Sequence, residues 1–304
     1  MILGLDYGAI NIKNSKGQVF ENKIKRDELI NITDSIIIDG TQYIFGKGEY
    51  DFSQDVKFKQ ERFIPLMFAS ICSVDTHENN FDIITGLPIK HYKKYKDELI
   101  KLIHENRNKE VIFNGKIRNI NINNIEVFPE GLGVLYSLSE QELSKFDKRD
   151  ILIIDIGGST TDIALLNGSG LNREIIKTHS ASFGMNEIFN DIKEYISSNT
   201  DDESITIEKA QQILEEKVIH SVNGIDTDLE FINDIKLNLV MKILKDMKLK
   251  FADSLKSSSW LVCGGGAKFL FPYFKHIQPN AVENQSIFAN AKGYEKVGVF
   301  KWQK

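Results

Sequence analysis

The chain has 304 residues, 41% hydrophobic and 27% charged, which suits a soluble globular protein large enough for two domains. A net charge of −5 argues against an overall electrostatic nucleic-acid binder, and two cysteines give neither a disulfide framework nor zinc spacing, so a reducing cytoplasm is expected. No apolar run is long enough to span a bilayer, no basic leader precedes the first apolar run, and no low-complexity tract marks a disordered linker.

Met1 to Leu5 reads as a short apolar strand that runs into Asp6-Tyr7-Gly8-Ala9-Ile10-Asn11-Ile12-Lys13. Asn14 to Gly17 is a turn, and Gln18 to Ile24 alternates like a returning strand, which places this loop in a β-hairpin rather than ahead of a helix. Lys13 then lies on the second strand, either as a point charge for a phosphate or as a solvated edge lysine. Ser35 to Ile38 and Tyr43 to Phe45 flank Asp39-Gly40, a strong hairpin signal, and the charged stretch 48–62 follows. Together, about 26–62 reads as a small inserted subdomain. Phe63 to Val74 has helical spacing, Phe81 to Ile84 is a strand before Thr85-Gly-Leu-Pro88, and Tyr92 to Asn106 is an amphipathic helix. Val111 to Val127 supplies two or three strands.

Phe128-Pro129-Glu130-Gly131-Leu132-Gly133 stops a strand at a proline and is expected to start a helix, with Glu130 in its first turn. Glu130 is then either a capping charge or, facing a cleft, a group that orients a water. Gly131 and Gly133 imply close packing of that helix on another backbone.

Ile151 to Ile154 is a second apolar strand, ending in Asp155 and followed by Gly157-Gly158-Ser159-Thr160-Thr161-Asp162. The glycines allow a tight turn and leave room for an anion at the main-chain N–H groups. Asp155 at the strand end can face a metal, whereas Asp162 serves either the ion or the hairpin. The outline of residues 1–13 thus recurs about 150 residues on, which implies a duplicated domain with two phosphate loops facing across a cleft. Glu174 to Ala181 returns as a strand, and Gly184 either admits a ligand or breaks the strand. Ile207 to Val218 and Leu229 to Leu255 are helices by periodicity, and Pro272 is expected to limit a regular helix after Trp260-Leu-Val-Cys263-Gly264-Gly265-Gly266-Ala267. That glycine triplet between strand and helix is hard to explain by packing alone, and it would allow flat contact with a nucleotide. Ser286 to Gly293 looks helical.

These motifs resemble, in order, those of the actin, sugar kinase and heat-shock ATPase superfamily. Asp6 to Lys13 and Asp155 to Asp162 are similar to its two phosphate motifs. Phe128 to Gly133 and Asn290-Ala-Lys-Gly293 are similar to its connecting helices, and Cys263 to Ala267 to its adenosine motif. Asn-Ile-Lys in the first motif, Thr-Gly-Leu-Pro at 85–88 and the second motif are most similar to the bacterial actin-like plasmid segregation proteins, the ParM group.

The resemblance implies an α/β fold of two duplicated ribonuclease H-like domains around a nucleotide cleft. Domain I is expected over 1–154, domain II over 155–286, with about 287–304 packing back on domain I. It implies ATP or GTP with Mg²⁺, and slow hydrolysis coupled to polymerisation. The expected nucleotide contacts are Asp6, Gly8, Ala9, Asn11, Lys13, Gly157, Gly158, Ser159, Thr160, Thr161, Gly184, Gly264, Gly265 and Gly266. Asp6 and Asp155 would hold the metal, and Glu130 with Asp155 would carry the chemistry. The implied partners are further copies of the chain and a small DNA-binding adaptor of ParR type. That adaptor would link filaments to centromere-like DNA that the chain itself does not touch, and no membrane is expected. The alternatives are a membrane-associated bacterial actin of cell shape or division, a small-molecule kinase of the same superfamily, and a non-polymerising ATP-binding scaffold. Phe300 and Trp302 bear on the first of these: they either dip into a membrane interface or pack on the protein.

Overall fold

The computed structural model describes residues 1–26, 33–50, 56–146, 149–200, 204–216, 221–222, 225–226 and 228–303. The first lobe opens with β1 (Ile2–Tyr7), whose residues are all buried, and the hairpin partners β2 (Asn11–Asn14) and β3 (Val19–Glu21). β4 (Ile24–Arg26), β5 (Ser35–Ile38) and β6 (Thr41–Phe45) follow, with Asp39 and Gly40 both at positive φ in the β5–β6 turn. After a 3-10 turn, Lys57–Lys59, come α1 (Phe63–Cys72), β7 (Asn80–Leu87), α2 (Ile89–Glu105), β8 (Asn108–Phe113) and the long β9 (Lys116–Pro129).

The helix expected from Pro129 begins later. β7 and β9 stay paired to Leu87 and Pro129, and the Glu130 N–H then donates to the Leu87 carbonyl at 2.8 Å. Gly131 takes φ +80°, a conformation that favours glycine, and α3 (Leu132–Ser137) starts beyond it. Glu130 therefore stands at a strand end, ahead of the helix rather than in its first turn.

After α4 (Glu140–Ser144), the second lobe has β10 (Ile151–Ile156), β11 (Thr161–Ser169), β12 (Asn172–Ala181), α5 (Met185–Thr200) and α6 (Ile207–Glu216). Two short strands, β13 (Ser221–Val222) and β14 (Ile225–Asp226), precede α7 (Phe231–Phe251), β15 (Ser259–Cys263), α8 (Ala267–Ile277), β16 (Val282–Glu283) and α9 (Ala289–Trp302). β10 lies wholly in the second sheet and spans the expected boundary at 154/155, so this lobe begins by Ile151. α8 continues through Pro272, against expectation, although the proline has no N–H to give the helix ladder and crowds the carbonyl of Lys268 four residues before it. α9 runs on past Gly293 to Trp302, with Phe300 exposed on its last turn. The final two residues of the helix expected over 207–218 lie outside the described residues.

The two sheets repeat one plan. β3-β2-β1-β7-β9 in the first lobe matches β12-β11-β10-β15-β16 in the second: an antiparallel meander of three strands, then two strands added parallel. In the first lobe, β8, β5, β6 and β4 prolong the same sheet, so the strands of the expected insertion extend the domain edge rather than form a separate body. α1 and α2 cover one face of this sheet, around Phe68, Phe81 and Ile83. α5 to α8 cover one face of the second sheet, and α3 with the start of α9 cover its other face, against Ile151, Ile153 and Leu261. Each fully buried aliphatic side chain of β10 contributes roughly 1.5–3 kcal/mol.

α3 and α9 cross between the lobes. A Cβ on Gly293 would overlap the Gly133 carbonyl oxygen, and a Cβ on Gly133 would lie 2.6 Å from the Tyr294 ring and 2.9 Å from the Asn290 carbonyl. Tyr294, fully buried, then fills the space between α9 and the first sheet with Ile2 and Ile84. Across the cleft mouth, Lys23 of the first lobe, only 7% exposed, donates to Glu208 of α6 at 3.1 Å.

Candidate functional site

A cleft of about 400 Å³ opens between the lobes. Its floor is made by the two hairpin loops, β1–β2 and β10–β11, which are built alike. Gly8 N–H donates to Asn11 O at 3.0 Å, and Gly157 N–H donates to Thr160 O at 2.9 Å. Those two N–H groups close the turns, and the loop tips, Ala9 and Ile10 on one side, Gly158 and Ser159 on the other, line the cleft. The tips touch: a Cβ on Gly158 would lie 2.7 Å from Ile10 Cδ1. Asn22 staples the first loop, donating to Gly8 O at 2.9 Å, and Asn186 of α5 supports the second through Ser159 Oγ at 3.2 Å.

Strand register places the charges. Asp6 stands opposite Lys13, and their side chains pair at 3.0 Å, with Asp6 only 6% exposed. Asp155 stands opposite Asp162. Asn290 of α9 bridges across, donating to Asp155 Oδ2 at 3.1 Å while its own Oδ1 accepts the Gly131 N–H at 3.1 Å. Lys57 Nζ donates to the Tyr7 carbonyl at 2.9 Å and to Glu130 Oε1 at 3.3 Å. Burial pushes Glu130 up to about 8; Lys57 opposes this, while Asp6, Asp162 and Asp155 add to it. Burial, with Asp162 and Asp6, likewise pushes Asp155 up to about 6, and burial raises Asp162.

Four carboxyl groups, Asp6, Glu130, Asp155 and Asp162, crowd a cleft end whose cations are Lys13, Lys57 and Lys90, and the like-charge repulsion that adds to the rise of Glu130 and Asp155 is what a divalent cation would relieve. Among the described residues no three Asp, Glu, His or Cys side chains converge as a closed metal cage. Mg²⁺ keeps several waters and needs only one or two carboxylates, so the donor set is compatible with that ion.

Asp6, Gly8, Ala9, Asn11, Lys13, Glu130, Asp155, Gly157, Gly158, Ser159, Thr160, Gly264 and Gly265 all line the cleft. Thr161, Gly184 and Gly266 do not. Thr161 is fully buried and spends its hydroxyl on the Phe183 carbonyl at 2.9 Å. Gly184 packs under the second loop, where a Cβ would lie 2.5 Å from Gly157 O. Packing also accounts for two glycines of the triplet. Gly264, at φ +85°, leaves no room for a Cβ beside Asp155 and Ile156, and a Cβ on Gly266 would lie 2.5 Å from Ile156 Cγ2. Only Gly265 faces open space. Beyond it the cleft is lined by Gln211 and Glu215 of α6 and by Lys268 and Phe269 of α8, with Lys268 and Glu215 paired at 3.7 Å.

Sequence reasoning did not single out Lys57 and Asn22, and it named Asn290 only as part of a connecting helix. Lys57 sits in a stretch that reads as solvated charge, with no motif around it. Asn290 heads the Asn-Ala-Lys-Gly segment, where the available signal was an amide beside two small residues at the start of a helix.

The duplicated sheets, the facing loops and the crossing helices define the actin-like fold. Residues 4–133 match the family of actin-like proteins, N-terminal domain, and residues 153–276 match the archaeal actin homologue MreB-like C-terminal family. The two lobes thus each match an actin-like family model, and the chain has the actin-like fold. It is similar to an archaeal actin homolog of Thermoplasma volcanium, 21% identical over 97% of both chains. A crystal structure of an archaeal actin homolog in complex with ADP superposes with a TM-score of 0.83 at 20% identity, covering 98% of this chain and 99% of that one. A 15-stranded ParM filament from Clostridium botulinum gives a TM-score of 0.82 at 22% identity, covering 98% of each. No helix among the described residues is long and apolar enough to cross a membrane.

Proposed function

We propose that this chain binds ATP or GTP between its two hairpin loops, assembles into filaments in that state, and hydrolyses the nucleotide slowly. The observation that carries the reading is the pair of matched loops, each closed by one N–H to carbonyl turn and each presenting an aspartate on the cleft floor. The ADP complex of an archaeal relative and the ParM filament, both sharing the fold, support it.

In this reading the loop-tip N–H groups of Ala9, Ile10, Gly158 and Ser159 receive phosphate oxygens, and Lys13 offsets their charge. Asp6 and Asp155 would hold Mg²⁺, and that ion would supply charge neutralisation of the phosphates. Asn290 fixes the Asp155 carboxylate by its 3.1 Å bond. Glu130 orients the attacking water and accepts its proton, a role for which a carboxylate poised near neutral pH is suited. The far end of the cleft, around Gly265, Gln211, Glu215 and Phe269, takes ribose and base.

The finer assignment is that the filaments move low-copy DNA, such as a plasmid, through a small DNA-binding adaptor of ParR type. The likeness to ParM supports this assignment, whereas the relatives found by sequence are named archaeal actin homologs, a description that carries no cargo. Phosphate release and light scattering after addition of Mg-ATP or Mg-GTP test the core reading. Release together with scattering is expected from at least one nucleotide; phosphoryl transfer to a sugar or other small molecule in place of phosphate release, and no scattering, would move the chain to the kinases.

A further inference from the structure

Of the cleft lysines outside the phosphate loops, one is paired with Glu130. Lys57 opens the 3-10 turn ahead of α1, and its neighbour Phe58 is anchored in the first-lobe core against Phe63 and Tyr95, with ring centroids 6.4 and 6.0 Å away. This anchor delivers the Lys57 side chain into the cleft, where it is 21% exposed beside a Glu130 that is 12% exposed.

Its ammonium has three protons to donate, and the Tyr7 carbonyl and Glu130 take two. The bond to Glu130 is 3.3 Å, longer than the 2.7–2.9 Å or so of a tight charge-assisted pair. Burial works against the Lys57 charge, yet Glu130 and then Asp6 hold its proton, so the group is a cation at neutral pH. A loosely held cation at the Glu130 end of the cleft is set to exchange its carboxylate partner for a more highly charged anion.

We propose that Lys57 reads the terminal phosphate of the nucleotide, donating to a γ-phosphoryl oxygen when a triphosphate is bound and to Glu130 when a diphosphate is bound. This rests on the nucleotide site proposed above. Its consequence is twofold. The Glu130 carboxylate is released toward the water only when there is a terminal phosphate to attack. The Lys57 segment, fixed to the first-lobe core through Phe58, is tied to the phosphate state of the cleft, whereas Lys13, already paired with Asp6, answers to di- and triphosphates alike.

The test compares the affinities of the full chain, with Mg²⁺, for ADP and GDP and for the non-hydrolysable analogues of ATP and GTP. Lys57→Met should lose about 10- to 100-fold in triphosphate-analogue affinity and keep its diphosphate affinity within about twofold. Lys57→Arg, which keeps the charge, should recover part of the loss. Retained diphosphate binding shows in the same experiment that the variant is folded. An unchanged ratio of tri- to diphosphate affinity in Lys57→Met overturns the proposal, as does an equal loss of both, which would mark a structural role. Failure of the nucleotide site itself would show separately, as wild-type protein binding neither nucleotide.

Discussion

Asp155 and Asp162 face each other across β10 and β11 at the same register where β1 and β2 pair Asp6 with Lys13. One jaw of the cleft therefore carries its own counter-charge, and the other carries two like charges. The second jaw is the one that gains from a cation: Asp162 adds to the burial that holds Asp155 above the ordinary carboxylate range, and burial raises Asp162.

Asp162→Asn removes that repulsion while its amide oxygen can still accept the Thr160 hydroxyl, now bonded at 3.3 Å. Relief of roughly 1 kcal/mol should raise the melting temperature of the magnesium-free protein by about 2–4 °C. The same variant should need less of its stability from Mg²⁺. Differential scanning fluorimetry with and without the ion checks both effects.

Glu130→Gln and Glu130→Ala should lower hydrolysis by about 100-fold or more, the usual scale for loss of a positioned acid–base group. Nucleotide affinity should not fall, because the loops, Lys13 and Lys57 do the holding. Single-turnover phosphate release measured beside equilibrium binding separates the two. Unchanged turnover with intact binding would remove Glu130 from the chemistry.

Stability should fall with rising pH. Glu130 and Asp155 are raised in the folded protein to about 8 and about 6, whereas in the unfolded chain they titrate near ordinary carboxylate values. Between roughly pH 4 and pH 8 the folded state binds more protons than the unfolded state, so each rise in pH across that window favours unfolding. The melting temperature of the nucleotide-free protein should be lower at about pH 8 than at about pH 6. Glu130→Gln should flatten the decline, and a flat wild-type profile would contradict the electrostatic picture of the cleft.

Gly293→Ala places a methyl group on the Gly133 carbonyl where α3 and α9 cross. The helices cannot both keep their positions. The cost should reach about 1–3 kcal/mol or more, seen as a lower denaturation midpoint. Gly265→Ala, at the glycine with open space around it, should leave the midpoint unchanged and disturb nucleotide binding instead.

The loops were readable from the chain because their signal is local: an apolar strand, an aspartate, glycines and hydroxyls, twice over. The same holds for Gly133, whose poor helix propensity already implied a close backbone neighbour. Packing at Gly264 and Gly266 was not legible, since their constraint comes from Asp155 and Ile156 on a strand about a hundred residues away. The helix start at Pro129 failed because pairing with β7 outlasts the proline, an effect of the sheet that local propensity does not contain. Lys57 was hidden for a similar reason. Its neighbours look solvated, and only the burial of Phe58 turns it inward. The boundary expected at 154/155 cuts through β10, a strand that lies wholly in the second sheet and already carries Asp155 near its end.

The most direct test of the account is sedimentation of the purified chain with no nucleotide, with Mg-ADP or Mg-GDP, with Mg-ATP or Mg-GTP, and with non-hydrolysable analogues of the triphosphates. The account predicts pelleted filaments with a triphosphate, longer-lived with its analogue, and soluble protein without nucleotide. Protein that binds the triphosphate and stays in the supernatant under every condition would contradict nucleotide-driven assembly.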